Sequence, residues 1–212
     1  MREHARVIPA GEYRRDRWKN GLGWTREIMR APDGDAWHWR LSIAEIECDA
    51  AFSSFPGIER ELVLLQGNGL RLRFADEGRD VDLAPPHGRL RFPGEAAVEG
   101  ILLDGPTQDF NLMWRPDAVA AELLHRPLAG PMLFFTEPDT TWAVYLLAGR
   151  GEFDAESGLP PLQAGDTAIL SSAGERQRFT LRGAGELLAV CIRPHAASSS
   201  SDEAEPGPAS AQ

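Results

Sequence analysis

Alternation of apolar and polar residues is the feature that most constrains how this chain can fold. Along Trp39–Glu47, one face of an extended chain would carry apolar side chains and the other face polar or small ones, namely Trp39, Leu41 and Ile43 against Arg40, Ser42 and Ala44. A period of two residues is typical of a half-buried β-strand. Few segments sustain the helical period of about 3.6 residues, so the sequence predicts an all-β protein.

Glycine and proline divide the rest of the sequence into short apolar or alternating segments. Such segments are typical of strands joined by turns. The segments predicted to contain strands are Val7–Pro9, Glu61–Leu65, Leu70–Phe74, Asp80–Leu83, Gly88–Phe92, Val98–Leu103, Phe110–Trp114, Trp142–Leu147, Leu162–Leu170, Arg178–Leu181 and Leu187–Ile192. Ala118–Leu124 is too short for periodicity to decide between a helical turn and a strand.

A short internal repeat suggests an architecture. Leu64–Gly69 recurs as Leu146–Gly151, and each copy is predicted to form an apolar strand, a Gly-x-Gly bend and the start of a return strand. Gln66–Gly69 has the composition of a hairpin turn. Two copies of one β-unit favour two stacked barrels or jelly rolls, although any chain rich in hairpins can produce such a coincidence.

The charge of the chain excludes some classes of partner. Its 212 residues carry a formal net charge of −10, with a sequence pI of about 5.0. A nucleic-acid-binding protein needs a basic face to neutralise phosphates, and docking to anionic lipid also needs basic residues, so we expect neither nucleic acid nor membrane as a partner. No apolar run approaches the ~18 residues that span a bilayer, and no signal peptide is visible. We expect a cytoplasmic protein.

Two further features bear on compartment and order. Cys48 and Cys191 both lie in apolar, strand-like settings, which favours two buried free thiols over a disulfide. Residues 196–212 are rich in Ala, Ser, Glu and Pro and contain no large apolar side chain. Such a segment cannot offset the entropy lost on ordering, so we predict a disordered tail without a role in the main function.

The segment Arg17–Ile28 is the first candidate for a binding site. It combines two tryptophans and two glycines with Lys19, Asn20 and Glu27. Glycine lets the backbone approach another group closely or adopt a positive φ, and a polar strand next to such a loop can form a small-molecule pocket. The alternative is a packed bend whose tryptophans belong to the core and whose charges face solvent.

Polar residues on two other predicted strands would complete such a pocket. The loop Phe52–Glu59 precedes Arg60, whose planar guanidinium suits a carboxylate. Asp109 and Asn111 would lie on one face of their strand. If these residues converge with Lys19, Asn20 and Glu27, the pocket offers cations for carboxylates and amides for a polar ligand backbone. Equally, Arg60 could form a structural ion pair with Glu27 or Asp109.

The histidines follow no spacing that is typical of a metal site. The sequence contains no His-x-His, Cys-x-x-Cys or His-Glu-x-x-His pattern, and its histidines are His4, His38, His87, His125 and His195. Residues distant in sequence could still assemble a site, but a surface or structural role is the preferred interpretation of each histidine. The sequence also has no Gly-x-Ser-x-Gly elbow, phosphate loop or dinucleotide fingerprint. We predict no metal and no cofactor.

Several of these segments, taken together and in order, resemble the HutD/Ves family. The matching segments are Trp18-Lys19-Asn20-Gly21-x-Gly23-x-Thr25-x-Glu27-Ile28, Trp39–Ala44, Phe52-Ser53-x-Phe55-Pro56-Gly57-x-x-Arg60 and Asp109–Met113. The sequence departs from the family at Leu22, where a third glycine is common, and in its C-terminal tail.

The resemblance implies a bicupin, that is, two cupin-like (RmlC-like jelly-roll) β-barrels in one chain that lack the usual metal-binding histidines. We assign residues 1–125 to the N-terminal barrel, 126–195 to the C-terminal barrel and 196–212 to the tail. The resemblance further implies a role in bacterial histidine utilisation, through binding of an intermediate such as N-formylglutamate. Carried over by position, the ligand-binding residues would be Trp18, Lys19, Asn20, Glu27, Arg60, Phe92, Asp109 and Asn111.

Three functions are compatible with this sequence. The first is a non-enzymatic regulator in which Lys19 and Arg60 hold two ligand carboxylates, while Asn20 and Asn111 bond an amide or formyl group. The second is a metal-free isomerase, lyase or hydrolase with Glu27 or Asp109 as the general base and Lys19 as the electrophilic partner. The third is a protein-interaction module without a small ligand. A homodimer is the default expectation for assembly.

Overall fold

A computed structural model describes residues 5–172 and 174–195, and these form an all-β protein. The predicted tail 196–212 lies outside the described residues. The strands are β1 (Ala5–Ile8), β2 (Arg14–Arg17), β3 (Gly23–Ala31), β4 (Trp39–Ile46), β5 (Ala50–Ala51), β6 (Glu59–Gln66), β7 (Leu70–Phe74), β8 (Arg79–Leu83), β9 (Arg89–Pro93), β10 (Val98–Leu102), β11 (Thr107–Trp114), β12 (Val119–Ala129), β13 (Met132–Thr136), β14 (Thr141–Phe153), β15 (Leu162–Gln163), β16 (Thr167–Leu170) and β17 (Gln177–Pro194). Short 3-10 turns occur at Ala10–Glu12 and Ala155–Ser157.

The strands form three antiparallel sheets. A six-stranded sheet has the order β2-β3-β4-β11-β6-β9, and a four-stranded sheet has the order β5-β10-β7-β8. A seven-stranded sheet has the order β1-β16-β14-β17-β12, with β13 also paired to β17 and β15 to β14. Within the described residues these pairings form open sheets rather than closed barrels. No helix in this part of the chain is long and apolar enough to cross a membrane.

The predicted strands overlap the observed ones, but the connections differ in two places. Strand β6 pairs with β9 and β11, whereas β7 pairs with β8 and β10, so the predicted hairpin at Gln66–Gly69 was wrong. The turn instead carries the chain from the six-stranded to the four-stranded sheet. Gly67 makes this possible, because its φ is 102° and a Cβ there would lie 2.7 Å from the Pro106 carbonyl oxygen.

The second copy of the internal repeat is not a hairpin either. Leu146–Gly151 lies inside the continuous strand β14, whose register with β17 shifts after Leu146. Gly149 lies opposite Gly185 at this point, and a Cβ on Gly149 would lie 1.9 Å from the carbonyl oxygen of Ala184. Glycine therefore allows two long strands to bend together. The repeat consists of a turn between sheets and a bent strand, and it gives no support to a duplicated hairpin.

Three smaller expectations are settled by the same strands. Ala118–Leu124 falls mainly in strand β12, and the segments Arg178–Leu181 and Leu187–Ile192 belong to the single strand β17. Cys191 is buried as predicted, but Cys48 is exposed because it lies beyond the end of β4, and both thiols are free.

The main core contains residues from both parts of the sequence. The ring of Phe110 on β11 packs 5.5 Å from that of Tyr145 on β14, measured between centroids. Strand β1 pairs with β16, from Ala5 opposite Leu170 onward, and β12 crosses position 125. The division into 1–125 and 126–195 therefore stays a prediction, and β1 pairs within the sheet that contains most of the second part.

Candidate functional site

The middle of the six-stranded sheet has a face on which polar and apolar side chains are interspersed. Residues directly opposite each other on paired strands point to the same side of a sheet. In three successive rows across β4, β11 and β6, the opposed residues are Arg40, Met113 and Arg60, then Ser42, Asn111 and Leu62, then Ala44, Asp109 and Leu64.

A cavity of about 570 Å³ lies over this face. The segments 17–20 and 51–55 contribute to its walls. Its lining consists of Arg17, Trp18, Lys19, Asn20, Thr25, Arg40, Ser42, Ala44, Ile46, Ala51, Phe52, Ser53, Phe55, Arg60, Leu62, Asp109, Asn111 and Met113. The size is that of a site for a small metabolite. The lining contains four cationic side chains and one acid, so it is positive within an otherwise acidic chain.

Arg60 is a buried cation without a carboxylate partner. It is 7% exposed, and its Nε atom has no hydrogen-bond partner within the described part of the chain. The guanidinium carbon lies 5.2 Å from the ring centroid of Phe52, 5.8 Å from that of Phe55 and 5.3 Å from that of Phe92. Burial, together with the charge of Arg40, lowers the pKa of Arg60 to about 10. The alternative of an ion pair with Glu27 or Asp109 is not observed.

Asp109 and Asn111 add two further unpaired oxygen atoms to the site. Asp109 is fully buried, and its Oδ2 accepts a 2.8 Å hydrogen bond from the Thr107 hydroxyl, whereas its Oδ1 has no partner among residues 5–172 and 174–195. Burial raises the pKa of Asp109 to about 7, against the opposing effect of the Thr107 bond. The Oδ1 atom of Asn111 is also buried and unpaired. Buried polar atoms without partners are costly unless a ligand or water satisfies them.

The loop before β3 forms part of the cavity wall, as the pocket interpretation predicts. The indole nitrogen of Trp18 donates a 2.9 Å hydrogen bond to the Thr25 hydroxyl, and the Asn20 side-chain oxygen accepts from the Leu22 amide at 3.1 Å. Gly23 must be glycine, because a Cβ there would lie 2.5 Å from the Glu45 carbonyl oxygen. Lys19 is exposed.

Glu27 and Phe92 do not line the cavity. The Glu27 carboxylate is 8% exposed and accepts hydrogen bonds from Arg30, at 2.5 and 2.8 Å, and from Arg40 at 2.6 Å. Burial alone would raise the pKa of Glu27, but the hydrogen bonds and charges of these two arginines lower it overall. Phe92 lies behind Arg60 and makes an edge contact with Phe74 at 5.6 Å between centroids. The predicted ligand contacts of these two residues therefore have no support in the cavity geometry.

The site also contains residues that the sequence analysis did not select. Arg40, Ser42 and Ala44 line the cavity from β4. They form the polar face of the alternating segment that first indicated a β protein, so the signal was present and could have been extended from fold to function. Met113 was not distinguishable, because an apolar residue at a strand end is ordinarily part of a core.

Comparison with known proteins places these features in a family. The HutD family model matches residues 10–189. An uncharacterized 21.2 kDa protein in the hutC 3′ region of Pseudomonas putida is 41% identical over 119 residues, which cover 55% of this chain and 62% of that protein. Protein Ves of Citrobacter koseri is 36% identical over 108 residues, which cover 50% of this chain and 56% of that protein. The chain thus matches less than two thirds of the length of these curated relatives.

Solved structures extend the likeness to almost the whole chain. The structure of HutD from Pseudomonas fluorescens SBW25 (formate condition) superposes with a TM-score of 0.77 at 29% identity, covering 91% of this chain and 100% of that one. Protein YlbA from E. coli, at 11% identity, has a TM-score of 0.68 and covers 92% of each chain. The second likeness shows the fold alone, which is all-β and cupin-like.

Proposed function

The chain belongs to the HutD family, and from this premise and the chemistry of the cavity we propose that it is a non-enzymatic protein that binds a small carboxylate. The observation that carries the proposal is Arg60 on the cavity wall, a buried cation whose Nε atom has no hydrogen-bond partner among the described residues. An isolated buried charge is costly, and a ligand carboxylate is the group that best satisfies a guanidinium. Three phenylalanine rings surround the Arg60 guanidinium and limit its contact with water, so water would satisfy its charge less well than that ligand.

The remaining polar groups suggest the rest of the ligand. Asn111, one row away from Arg60 on the same face of the sheet, offers an unpaired oxygen acceptor, which suits an amide N–H. Lys19 lines the cavity and can hold a second carboxylate. Two carboxylates and one amide or formamide N–H describe N-formylglutamate, which the family resemblance also implies. The side-chain oxygen of Asn20 is used by its own loop, so its ligand contact would come from the amide nitrogen.

We assign the binding to regulation of histidine utilisation. One relative is described by its place in a hutC 3′ region, which supports this context. A formal net charge of −10 disfavours direct contact with DNA, so regulation would pass through ligand sequestration or another protein. The proposal includes a cytoplasmic location, a possible homodimer and the arrangement of two cupin-like units at 1–125 and 126–195.

An enzymatic role is the second candidate, and Asp109 is the observation that favours it. A buried carboxyl whose pKa lies at about 7, in a positive cavity, suits general acid–base catalysis. Glu27 is a poor base, because hydrogen bonds from two arginines lower the pKa of its carboxylate and so weaken its affinity for a proton. Mass spectrometry after incubation with intermediates of histidine breakdown distinguishes the two roles. Turnover that disappears in Asp109→Asn would favour the enzyme.

Isothermal titration with N-formyl-L-glutamate tests the binding proposal. We expect saturable binding by the wild-type protein, a raised melting temperature, and a loss of about 100-fold or more in affinity in Arg60→Met, because the ligand carboxylate would lose a buried partner. Arg79→Met is the matched control, since Arg79 also packs on a phenylalanine, 4.2 Å from the Phe74 centroid, but lies outside the cavity lining.

Two results would refute the proposal. The first is a silent titration together with an unchanged melting curve at millimolar ligand. The second is wild-type affinity in Arg60→Met while that variant remains folded, because Arg60 would then not hold the ligand.

A further inference from the structure

Away from the cavity, the fold brings together three side chains that are distant in sequence. His87 follows β8, His125 lies on β12 and Glu186 lies on β17. Their potential metal-binding atoms all lie within 4.8 Å of one another, and none of the three residues lines the cavity. Two imidazoles and one carboxylate are a common ligand set for transition metals.

Two of the three distances between potential ligand atoms are those expected around a bound metal ion. Glu186 Oε2 lies 3.2 Å from His125 Nε2 and 3.5 Å from His87 Nε2. Tetrahedral zinc with bonds of about 2.0–2.2 Å separates its ligand atoms by roughly 3.4 Å. The third edge, between the two histidines, is at most 4.8 Å and would close by side-chain rotation, since the rings are only 5.0 Å apart between centroids.

His87 is held in a way that suits a ligand. Its Nδ1 lies 3.1 Å from the Leu64 carbonyl oxygen, which can only accept a hydrogen bond. Nδ1 must therefore carry the proton when this bond forms, and in the neutral ring Nε2 is left with a lone pair toward His125 and Glu186. The backbone of His87 also has a φ of 56°, a left-handed conformation that is uncommon for a residue other than glycine and recurs at ligand sites.

The site is accessible to an ion from solvent. The side chains of His125 and Glu186 are 39% and 49% exposed, and that of His87 is 17% exposed. Three protein ligands on one side leave a fourth position for water or a small anion.

We propose that His87, His125 and Glu186 form a binding site for a divalent transition-metal ion, with zinc as the ion that tests it. The ion would link the segment after β8 to the β12–β17 pair, and so join the first half of the sequence to the seven-stranded sheet. This junction already contains a 3.0 Å hydrogen bond from Arg89 to the Leu123 carbonyl oxygen. The site does not depend on the carboxylate-binding role of the cavity.

Zinc binding to the untagged full-length protein is the direct test. We expect one ion per chain by titration, and a rise in melting temperature that magnesium does not reproduce, because magnesium prefers oxygen ligands. In His125→Ala and Glu186→Gln, loss of a direct ligand should weaken zinc binding by more than the roughly 10–100-fold typical of an outer-shell partner. Both residues are exposed enough for the variants to fold. His87→Asn tests the third ligand, since asparagine tolerates a positive φ.

His38→Ala serves as the control, because His38 is exposed and lies outside the cluster. Its zinc affinity should equal that of the wild type. Cobalt(II) should give the visible absorption of a four-coordinate site in the wild type and in His38→Ala alone. Absence of one-to-one binding in the wild type at millimolar zinc would overturn the proposal and leave a hydrogen-bonded His–Glu–His group. Unchanged binding in His125→Ala would overturn it as well.

Discussion

Asp109 links the stability of the protein to pH near neutrality. Burial raises its pKa from 3.8 to about 7, so between these values the folded state binds a proton that the unfolded state has released. Stability therefore falls as pH rises from about 4 to about 7, with a total on the order of 4 kcal/mol if Asp109 acted alone. Below this pKa the Asp109 carboxyl is neutral, so it does not repel an anionic ligand in the cavity.

We predict that Asp109→Asn removes this pH dependence. The variant should gain stability relative to the wild type at pH 7.5 and lose that advantage at pH 5, since asparagine stays neutral and can still accept the Thr107 hydrogen bond. Urea unfolding of both proteins at the two pH values measures the difference. If the difference in the free energy of unfolding between the two proteins were the same at both pH values, Asp109 would have an ordinary pKa.

At the scale of elements, Glu27 on β3 forms an ion pair with Arg40 on β4 close to the point where the register of the two strands shifts. The shift lies between Glu27 and Met29, and Glu27 bonds both Arg30 on its own strand and Arg40 on the next. The carboxylate is nearly buried, so removing its charge leaves two poorly compensated arginines. Through this contact Glu27 holds Arg40, which lines the cavity.

We predict that Glu27→Gln lowers the free energy of unfolding by roughly 3 kcal/mol at pH 7. Because the folded-state pKa of Glu27 is lowered, the stabilisation exists above the unfolded pKa and is lost as pH falls through the folded value. The wild type and variant should therefore converge in acid. Glu77→Gln is the control, because Glu77 pairs with Arg79 in solvent and should cost less than about 1 kcal/mol. Equal losses in the two variants would count against this role.

The elements also show what sequence patterns can and cannot predict. Strand β4 and its two faces follow from local alternation, because the period of side chains along a strand needs no knowledge of its partner. The prediction of a hairpin at Gln66–Gly69 was wrong because it required knowledge of the partner strands. A turn has the same composition whether the strands on either side of it pair with each other or belong to two different sheets. His87, His125 and Glu186 come from three segments that only the completed fold brings together, so their grouping could not be predicted from the sequence.

At the scale of the molecule, the first segment of the chain is tied to the seven-stranded sheet. The Tyr13 hydroxyl lies 2.7 Å from the Gly165 carbonyl oxygen and 2.8 Å from the Thr167 hydroxyl, and the Ala10 amide donates to Asp166 at 2.9 Å. The pairing of β1 with β16 and a core cluster that includes Ile8, Phe110 and Tyr145 connect the two parts of the sequence, although each part also contributes a core cluster of its own.

We therefore predict that the protein unfolds in one cooperative transition. Tryptophan fluorescence, which reports mainly on the first half, and far-UV circular dichroism should give the same urea midpoint. Tyr13→Phe should lower that midpoint for both probes, at a cost of about 1–3 kcal/mol, because it leaves a buried hydroxyl and a carbonyl without a partner. Two separate midpoints would indicate independently folding units instead.

The pairing of β1 with β16 also has a consequence during synthesis. Ala5–Ile8 is synthesised about 160 residues before its partner Thr167–Leu170. At about 5–20 residues per second, the first strand waits on the order of ten seconds with its backbone groups unpaired. During this interval the backbone groups of Ala5–Ile8 have no strand partner, and we expect chaperones to contact the nascent chain at this segment.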